Sequence, residues 1–219
     1  LSFEKAQVMA IINITPDSFY DGGKFSSVTD IIKDAEMKIH EGATIIDIGA
    51  ASSRPKAPSV SVKDEIVRLR EPLTKLRKEF PKMLISIDTY LSEVAEFAID
   101  LGADIINDIS GGELDSKMID VVSKHQIAYV LMHMQGTPQN MQLNPTYENV
   151  VKELGDFYKS KIADCQSKGF EKLIIDVGFG FGKTLEHNYE LLKHLHEFTE
   201  FGFPILAGLS RKSMINKVI

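Results

Sequence analysis

Short apolar runs alternate with longer amphipathic stretches along this 219-residue chain. Seven of the runs end in a polar residue or in glycine, and a helix-like stretch follows each. Their terminal residues are Asn13, Asp47, Asp88, Asn107, His133, Asp176 and Gly208. Strands that alternate with helices are typical of parallel sheets, whose strands all end on the same side. We therefore expect these side chains, apart from Asp47 and Gly208, to converge on one face and form an active site.

The amphipathic stretches predict six helices and the start of a seventh. Their ranges are Val28–Glu41, Val62–Glu79, Leu91–Leu101, Leu114–Lys124, Tyr147–Lys168 and Leu185–Phe198, and the seventh starts near Arg211. Gly42, Gly102 and Gly169 each follow a helix, where glycine can adopt the left-handed conformation that ends it. These glycines lead straight into the next strand, whereas several segments after strands are long and polar. Short turns at one end and long loops at the other are typical of a barrel.

The pattern predicts an α/β fold, a (β/α)8 TIM barrel whose eighth β/α unit is absent from the chain. Seven strands alone would leave two unpaired edges, so we infer a missing unit. A doubly wound open sheet is the alternative, because that fold tolerates edges. The chain has no linker or shift in composition, so we interpret residues 1–219 as a single domain that is incomplete at its C-terminus.

Composition narrows the class of protein. With 43% hydrophobic and 26% charged residues, the chain resembles an ordinary globular protein. Its formal net charge of -6 disfavours nucleic acid or an anionic membrane as a partner. No apolar stretch could span a bilayer and no signal segment opens the chain, so we expect a cytoplasmic protein. Cys165 is the only cysteine, and a packed or surface thiol is a better interpretation than a catalytic one.

Basic residues follow two of the predicted strands. Arg54 lies after the second strand, and Arg211 and Lys212 lie after the seventh, at a helix start. Helix N-termini carry unpaired N–H groups, and the loop after strand seven of such barrels often binds phosphate. Solvated surface charge is the ordinary interpretation of such residues. Their shared position in an acidic chain instead predicts a bound anionic group.

Asp88, Asn107 and Asp176 end three strands and would place carboxylate and amide oxygens around one pocket. Such a set suits a flat heterocycle with several N–H donors, because each charge-assisted hydrogen bond contributes about 1.5–3 kcal/mol. A single Asp at a strand end can simply cap the next helix. Met132 and Phe181 could supply apolar walls, although either one alone is more often a core residue.

Phosphate-loop and zinc motifs are incomplete. Residues 178–184 fail the GxxxxGK[ST] pattern at Val177 and the GxGxxG pattern at Lys183, which leaves a strand-to-helix turn with free backbone N–H groups and a lysine. The histidines lack the spacing of zinc ligands. Asn13 and nearby carboxylates could still help to hold Mg2+ whose other ligands are substrate phosphates.

Seven segments together resemble the dihydropteroate synthase family, in family order across nearly the whole chain. They are Ile12–Phe19 with Asp21–Gly23, Ser53–Pro55, Ile87–Thr89, Ile106–Gly112, Met132–Pro138, Gly178–Lys183 and Gly208–Ser213. The resemblance implies a barrel enzyme of folate synthesis. Such an enzyme condenses 4-aminobenzoate with (7,8-dihydropterin-6-yl)methyl diphosphate and yields 7,8-dihydropteroate and diphosphate. It also implies a homodimer and a target of sulfonamides.

The resemblance assigns roles to individual residues. The pterin would be held by Asp88, Asn107, Asp176 and Lys212. Asn13 and Arg54 would contact the diphosphate and its Mg2+. The 4-aminobenzoate would lie near Phe19, Pro55, Phe181, Lys212 and Ser213. The other candidates for contact with substrate are Ser53, Ile109, Met132 and Gly208, and Asp21 would take part once its loop closes.

The implied chemistry needs no protein nucleophile, because diphosphate leaves once cations neutralise it and the pterin stabilises the resulting cation. Asp176 would favour that positive charge, while loops 14–27 and 49–61 exclude water. The chain departs from the family pattern at Ser53 and Val177, where threonine and proline are usual, and it lacks the final Arg-x-His segment. Two alternatives stay open: a methyltetrahydrofolate-dependent methyltransferase, against which Arg54 argues, and a non-catalytic pterin-binding module.

Overall fold

The structure is a computed structural model that describes residues 4–14, 27–51 and 60–216. The chain divides into two units, Leu1–Ser52 with Pro58–Asn107 and Ser53–Ala57 with Asp108–Ile219. The interpretation of residues 1–219 as a single domain stays a prediction.

In the first unit, parallel strands alternate with helices. The strands β1 to β4 are Met9–Asn13, Ile45–Gly49, Leu84–Asp88 and Ile105–Asp108, and each pairs with the next in parallel. The helices α1 to α3 are Val28–His40, Val62–Glu79 and Ser92–Asp100. All five residues of β2 are buried, as is usual for a parallel strand that is covered on both faces.

The strand register aligns the ends of the first four strands. Asn13 is the partner of Gly49, Gly49 of Asp88, and Asp88 of Asn107. The predicted convergence of Asn13, Asp88 and Asn107 is therefore confirmed within the first unit.

The second unit continues the alternation. Its strands β5 to β7 are Ala128–Met132, Leu173–Asp176 and Ile205–Leu206, with parallel pairing of β5 to β6 and of β6 to β7. Its helices α4 to α7 are Met118–His125, Val150–Ser167, Leu185–Lys193 and Ser213–Asn216, and a 3-10 helix spans Leu195–Phe201. Edge-to-face contacts of Tyr158 with Phe157, Phe198 and Phe201 fill part of its core.

Polar side chains fix the starts of several helices. The N–H of Asp30 donates to Ser27 Oγ at 3.3 Å, and the N–H of Asp64 donates to Ser61 Oγ at 3.2 Å. Each contact satisfies one of the backbone donors that a helix start leaves unpaired. The ends also follow expectation, since Gly42, Gly102 and Gly169 have φ angles of 105°, 91° and 68°.

Several predicted boundaries differ from the structure. The helix predicted from Tyr147 begins at Val150, and the helix predicted to end at Phe198 ends at Lys193. The seventh strand ends at Leu206, two residues before Gly208.

The second strand was expected to end at Asp47, but β2 continues to Gly49 and places Asp47 in mid-strand. The fourth helix was expected from Leu114 but begins at Met118. Residues 110–114 instead form a turn, because Ser110 and Gly112 donate to the buried Asp108 carboxylate.

Two further predictions can be compared with the structure. Cys165 is buried in α5, as expected for a packed thiol. Among the described residues, no helix combines the length and the apolar character needed to cross a membrane.

Candidate active site

The strand ends of the first unit bring oxygen atoms together around Gly49. A Cβ atom on Gly49 would stand 3.1 Å from Asn13 Oδ1 and 3.4 Å from Asp88 Oδ2. Any larger residue would therefore crowd both side chains. The absence of a side chain at this position leaves room for the amide and the carboxylate on the two neighbouring strands.

Asn107 is hydrogen-bonded to a buried carboxylate, that of Asp47, which lies two residues before Gly49 on β2. Asn107 Nδ2 donates to Asp47 Oδ2 at 3.1 Å. Asp47 is 3% exposed, and its register partner on β3 is Ser86, which is 0% exposed. Burial raises the pKa of Asp47, while the neighbouring Ser86 hydroxyl and Asn107 amide oppose that shift.

In the second unit, Asp176 lies at the end of β6 and is held through both its backbone and its side chain. Its Oδ1 accepts from the N–H of Gly178 at 2.8 Å. Its backbone oxygen accepts from the N–H of His133 at 3.2 Å and from the Tyr158 hydroxyl at 2.7 Å. The carboxylate is therefore fixed by the strand on one side and by the glycine-rich turn on the other.

Lys183 is buried at the end of that turn and connects it to the segment after β5. Its Nζ lies 3.2 Å from His133 Nδ1 and donates to the carbonyl oxygens of His133, Gly178 and Phe181 at 3.0, 3.1 and 3.0 Å. Burial lowers its pKa to about 7. Burial and the adjacent Lys183 lower the pKa of His133 to about 3, so this ring is neutral at neutral pH.

Two glycines allow the turn to pack closely against the segment after β5. A Cβ on Gly178 would stand 2.2 Å from the His133 oxygen, and one on Gly182 would stand 2.5 Å from the Gln135 oxygen. Both glycines have positive φ angles, 66° and 60°. Each position therefore requires glycine for two reasons, the lack of space for a Cβ atom and the positive φ angle.

The expectation of free backbone N–H groups in this turn was wrong at two of its glycines. The N–H of Gly178 is bound to Asp176, and the N–H of Gly180 donates to Asn188 Oδ1 at 2.7 Å. The turn therefore holds protein groups through these donors and is not a phosphate loop.

Lys212 and Phe181 are brought together as the sequence predicted for neighbours in one pocket. The Nζ of Lys212 stands 4.3 Å from the centroid of the Phe181 ring, within range of a cation–π interaction. Burial lowers the pKa of Lys212, and the negative charge of Asp176 opposes this shift. Met132 is 2% exposed and lies against Gly178, with its Cγ 3.2 Å from the position that a Cβ atom on Gly178 would take.

For three further candidate residues, the structure gives only their exposure or their position in an element. Ile109 is buried, Gly208 is exposed, and Ser213 begins α7, with a side chain outside the described set. Five candidates lie outside the described residues altogether: Phe19, Asp21, Ser53, Arg54 and Pro55.

A magnesium site is compatible with the first unit. Mg2+ prefers oxygen ligands and needs few from the protein when phosphates complete its coordination. Asn13 Oδ1 is an oxygen of this kind, and it stands 3.1 Å from the position that a Cβ atom on Gly49 would take. Over residues 4–14, 27–51 and 60–216, no group of three or more His, Cys, Asp or Glu side chains could hold a metal by itself. The described residues are therefore compatible with a metal ion whose other ligands come from a phosphorylated substrate.

Sequence analysis did not identify the buried acids Asp34, Glu65 and Asp108. Glu65 on α2 is 2% exposed, and burial raises its pKa to about 7 in spite of the Thr89 hydroxyl and the charge of Arg68. A charged residue in the first turn of a helix is ordinarily exposed. Its spacing from the buried Leu69 and Leu73, four and eight residues on, was the available signal.

Comparisons with known proteins agree with this arrangement. A sequence model described as "pterin binding enzyme" matches residues 9–219. The dihydropteroate synthase of Haemophilus influenzae is 43% identical over 221 residues, covering 100% of this chain and 80% of that protein. The Escherichia coli K12 dihydropteroate synthase is 42% identical, with 100% and 78% covered.

Solved structures give the same result. The dihydropteroate synthase of Yersinia pestis, in a sulfonamide drug complex, superposes with a TM-score of 0.93 at 39% identity, covering 100% of this chain and 79% of that one. The Xanthomonas albilineans synthase with 4-aminobenzoic acid gives 0.90 at 37% identity, with 100% and 78% covered.

The fold and the strand-end residues thus define a pterin-binding enzyme of the TIM-barrel class, and the predicted fold class is confirmed. Within that class, the chain belongs to the dihydropteroate synthase family. The doubly wound sheet is excluded as the fold.

Proposed function

We propose that this protein catalyses the condensation of 4-aminobenzoate with (7,8-dihydropterin-6-yl)methyl diphosphate, which yields 7,8-dihydropteroate and diphosphate. The supporting observation is its similarity over the full chain to dihydropteroate synthases, among them structures that hold 4-aminobenzoic acid and 7,8-dihydropteroate. The placement of its acidic and amide residues at strand ends is consistent with that activity.

The pterin is the substrate that these side chains recognise by hydrogen bonding. Asp88 and Asn107 offer carboxylate and amide oxygens in adjacent register positions of the first unit. Asp176 offers a carboxylate that Gly178 already orients. A pterin edge carries several N–H donors, and charge-assisted hydrogen bonds to such an edge are strong. Lys212 adds a donor for the acceptor atoms of the same ring.

Catalysis follows from electrostatics and positioning. The diphosphate leaves from the exocyclic carbon of the pterin, and the ring stabilises the cation that forms. Asp176 favours that cation because its negative charge lies close to the ring that it binds. The amine of 4-aminobenzoate then attacks the same carbon, and no covalent intermediate with the protein forms. Positioning the two reactants removes most of the entropic barrier to this step.

The remaining candidate residues bind the diphosphate leaving group and the second substrate, 4-aminobenzoate. Asn13 and Arg54 contact the diphosphate, and Mg2+, when bound at Asn13, supplies positive charge that stabilises this leaving group. Phe181 and Lys212 form one side of the 4-aminobenzoate site, where the ring packs on Phe181 and the cation attracts the carboxylate. Phe19, Pro55 and Ser213 complete it. We further propose a homodimer that acts in the cytoplasm.

One assay distinguishes this function from its alternatives. The protein is incubated with the dihydropterin diphosphate, Mg2+ and 4-aminobenzoate, and dihydropteroate is measured by chromatography. Product that requires all three additions and is suppressed by a sulfonamide supports the synthase. Pterin binding without product would indicate a binding module, and methyl transfer from methyltetrahydrofolate would indicate the methyltransferase. Asp176→Asn is the matched variant, and full turnover by it would contradict the proposed role of Asp176.

A further inference from the structure

Asp47 is a charged residue inside an otherwise apolar strand of the sheet. It lies in the middle of β2, two residues before the strand-end row, and it is 3% exposed. Its neighbours along the strand are Ile45, Ile46 and Ile48, all buried. A carboxylate in such surroundings destabilises the fold unless it is well hydrogen-bonded. A purely structural position of this kind would favour another isoleucine or valine.

The hydrogen bonding of Asp47 is incomplete. Its Oδ2 accepts from Asn107 Nδ2 at 3.1 Å. Its Oδ1 has no hydrogen-bond partner among the described residues, and neither has the hydroxyl of the adjacent Ser86. The fold therefore satisfies this buried carboxylate only in part. Its hydrogen bond to Asn107 is the contact that connects it to a residue of the strand-end row.

The backbone of Asn107 is already fixed without Asp47. Its carbonyl oxygen accepts from the N–H of Thr89 at 3.0 Å, and the residue is paired with Asp88 in the β3–β4 ladder. What the backbone leaves undetermined is which end of the side-chain amide lies inward. An amide has a donor end and an acceptor end of nearly identical shape, and only its hydrogen-bond partners select between them.

We propose that Asp47 is a specificity-determining residue that orients the Asn107 amide. The ionised Asp47 carboxylate can only accept hydrogen bonds, so it binds the NH2 end and leaves Asn107 Oδ1 at the strand-end row, where it is an acceptor for a ligand N–H. The inference rests on the proposed function, in which Asn107 contacts the pterin, and adds what selects its acceptor face. Burial of Asp47 strengthens this selection, because a hydrogen bond in a low-dielectric site discriminates more sharply than one in water.

The test compares two ring systems that differ in their donors. Pterin carries an amino group at the position where lumazine carries a carbonyl oxygen. We expect the wild-type protein to bind pterin more tightly than lumazine in isothermal titration calorimetry. In Asp47→Asn, the new amide can donate to Asn107 Oδ1, so Asn107 can turn and present NH2 instead. Pterin affinity should then fall by about 10–100-fold, and the preference over lumazine should shrink or reverse.

Two further variants keep the outcome decisive. Ser86→Ala removes the hydroxyl beside Asp47 but keeps the hydrogen bond between Asp47 and Asn107, so it should leave the pterin-to-lumazine ratio within about twofold of wild type. Asp47→Ala removes the acceptor without adding a donor and should lower the ratio less than Asp47→Asn does. It also serves if Asp47→Asn does not fold. A catalytic readout accompanies binding: the KM for the dihydropterin diphosphate should rise, with the KM for 4-aminobenzoate unchanged.

The possible failures are distinguishable. A folded Asp47→Asn or Asp47→Ala protein with the wild-type ratio would overturn the role of Asp47 and leave the synthase function intact. Absence of pterin binding by the wild-type protein would overturn both. An equal loss of affinity for pterin and lumazine would indicate a general disturbance of the site and would also contradict the proposal.

Discussion

The two units bury charged side chains in different ways. In the second unit, Asp108 accepts four hydrogen bonds from Ser110, Gly112 and Tyr129, and Lys183 meets four acceptor atoms. In the first unit, Asp47 and Glu65 each keep one buried oxygen without a partner among the described residues. These four side chains are buried to a similar extent, but those of the second unit have more hydrogen-bond partners than those of the first.

The difference in hydrogen bonding distinguishes two roles of buried charged residues, one structural and one in positioning a neighbouring side chain. A buried charge with complete hydrogen bonding rigidifies the chain around it, and Asp108 and Lys183 each fix a segment that follows a strand. A buried charge with incomplete hydrogen bonding stabilises little by itself. It is retained where it acts on a neighbour, as we infer for Asp47 and Asn107. The comparison predicts that substitutions in the second unit reduce stability most, whereas substitutions in the first unit change ligand binding or pH dependence.

The largest effect is expected for Lys183→Met. The substitution removes the donor that binds the carbonyl oxygens of His133, Gly178 and Phe181, so buried polar groups lose their partner. We expect the free energy of unfolding to fall by about 3–5 kcal/mol, because several buried oxygen atoms lose their donor and each such loss costs about 1–3 kcal/mol. Urea denaturation followed by circular dichroism measures it. Lys172→Met is the control, since the exposed Lys172 makes one bond to the Gln126 oxygen. An equal loss in both variants would contradict the stabilising role of the buried Lys183 contacts.

A smaller loss is expected for Asp108→Asn. One oxygen that accepts two donors becomes an NH2 group that faces those donors, and we expect a loss of about 2–3 kcal/mol in the free energy of unfolding. The same substitution at Asp47 is the matched control. There it removes a buried charge with a single hydrogen bond, and stability should change by less than about 1 kcal/mol. Similar losses in the free energy of unfolding at Asp108 and Asp47 would contradict the proposed difference between the two units.

The Glu65→Gln substitution is expected to change the pH dependence of stability. Burial raises the pKa of Glu65 from 4.5 to about 7, so between these values the native state holds a proton that the unfolded state has lost. The free energy of unfolding of the wild-type protein should therefore fall as pH rises through this window. The limiting slope of this contribution is about 1.4 kcal/mol per pH unit.

Glutamine does not ionise, so the Glu65→Gln protein should lack this contribution. Its stability relative to wild type should therefore increase from pH 4.5 to pH 7 and stay constant above. Thermal unfolding at a series of pH values measures the difference. A difference that is the same at pH 5 and pH 7.5 would show that Glu65 is ionised in the native protein at both.

Much of the fold was predictable from local patterns. The alternation of apolar runs with amphipathic stretches gave seven strands and the helices between them, because both periodicities are set by the residues of each element. Boundaries failed where a distant partner intervened. The turn at residues 110–114 depends on Asp108, whose carboxylate organises it together with the hydroxyl of Tyr129, 21 positions away.

The candidate site divides in the same way. Asn13, Asp88, Asn107 and Asp176 could be selected from the sequence, because a polar residue at the end of an apolar strand is visible in the chain itself. The roles of Asp47 and Lys183 were not visible. Asp47 meets Asn107 from 60 positions away, and Lys183 meets His133 from 50 positions away.

The sequence by itself determined the order of strands and helices, the polar strand ends and the resemblance to one family. Only the tertiary structure decided which charged groups are buried and which of them are fully hydrogen-bonded. The physical reason is that a side chain's periodic position depends on its own element, whereas its burial and its hydrogen-bond partners depend on residues that folding brings from elsewhere in the chain.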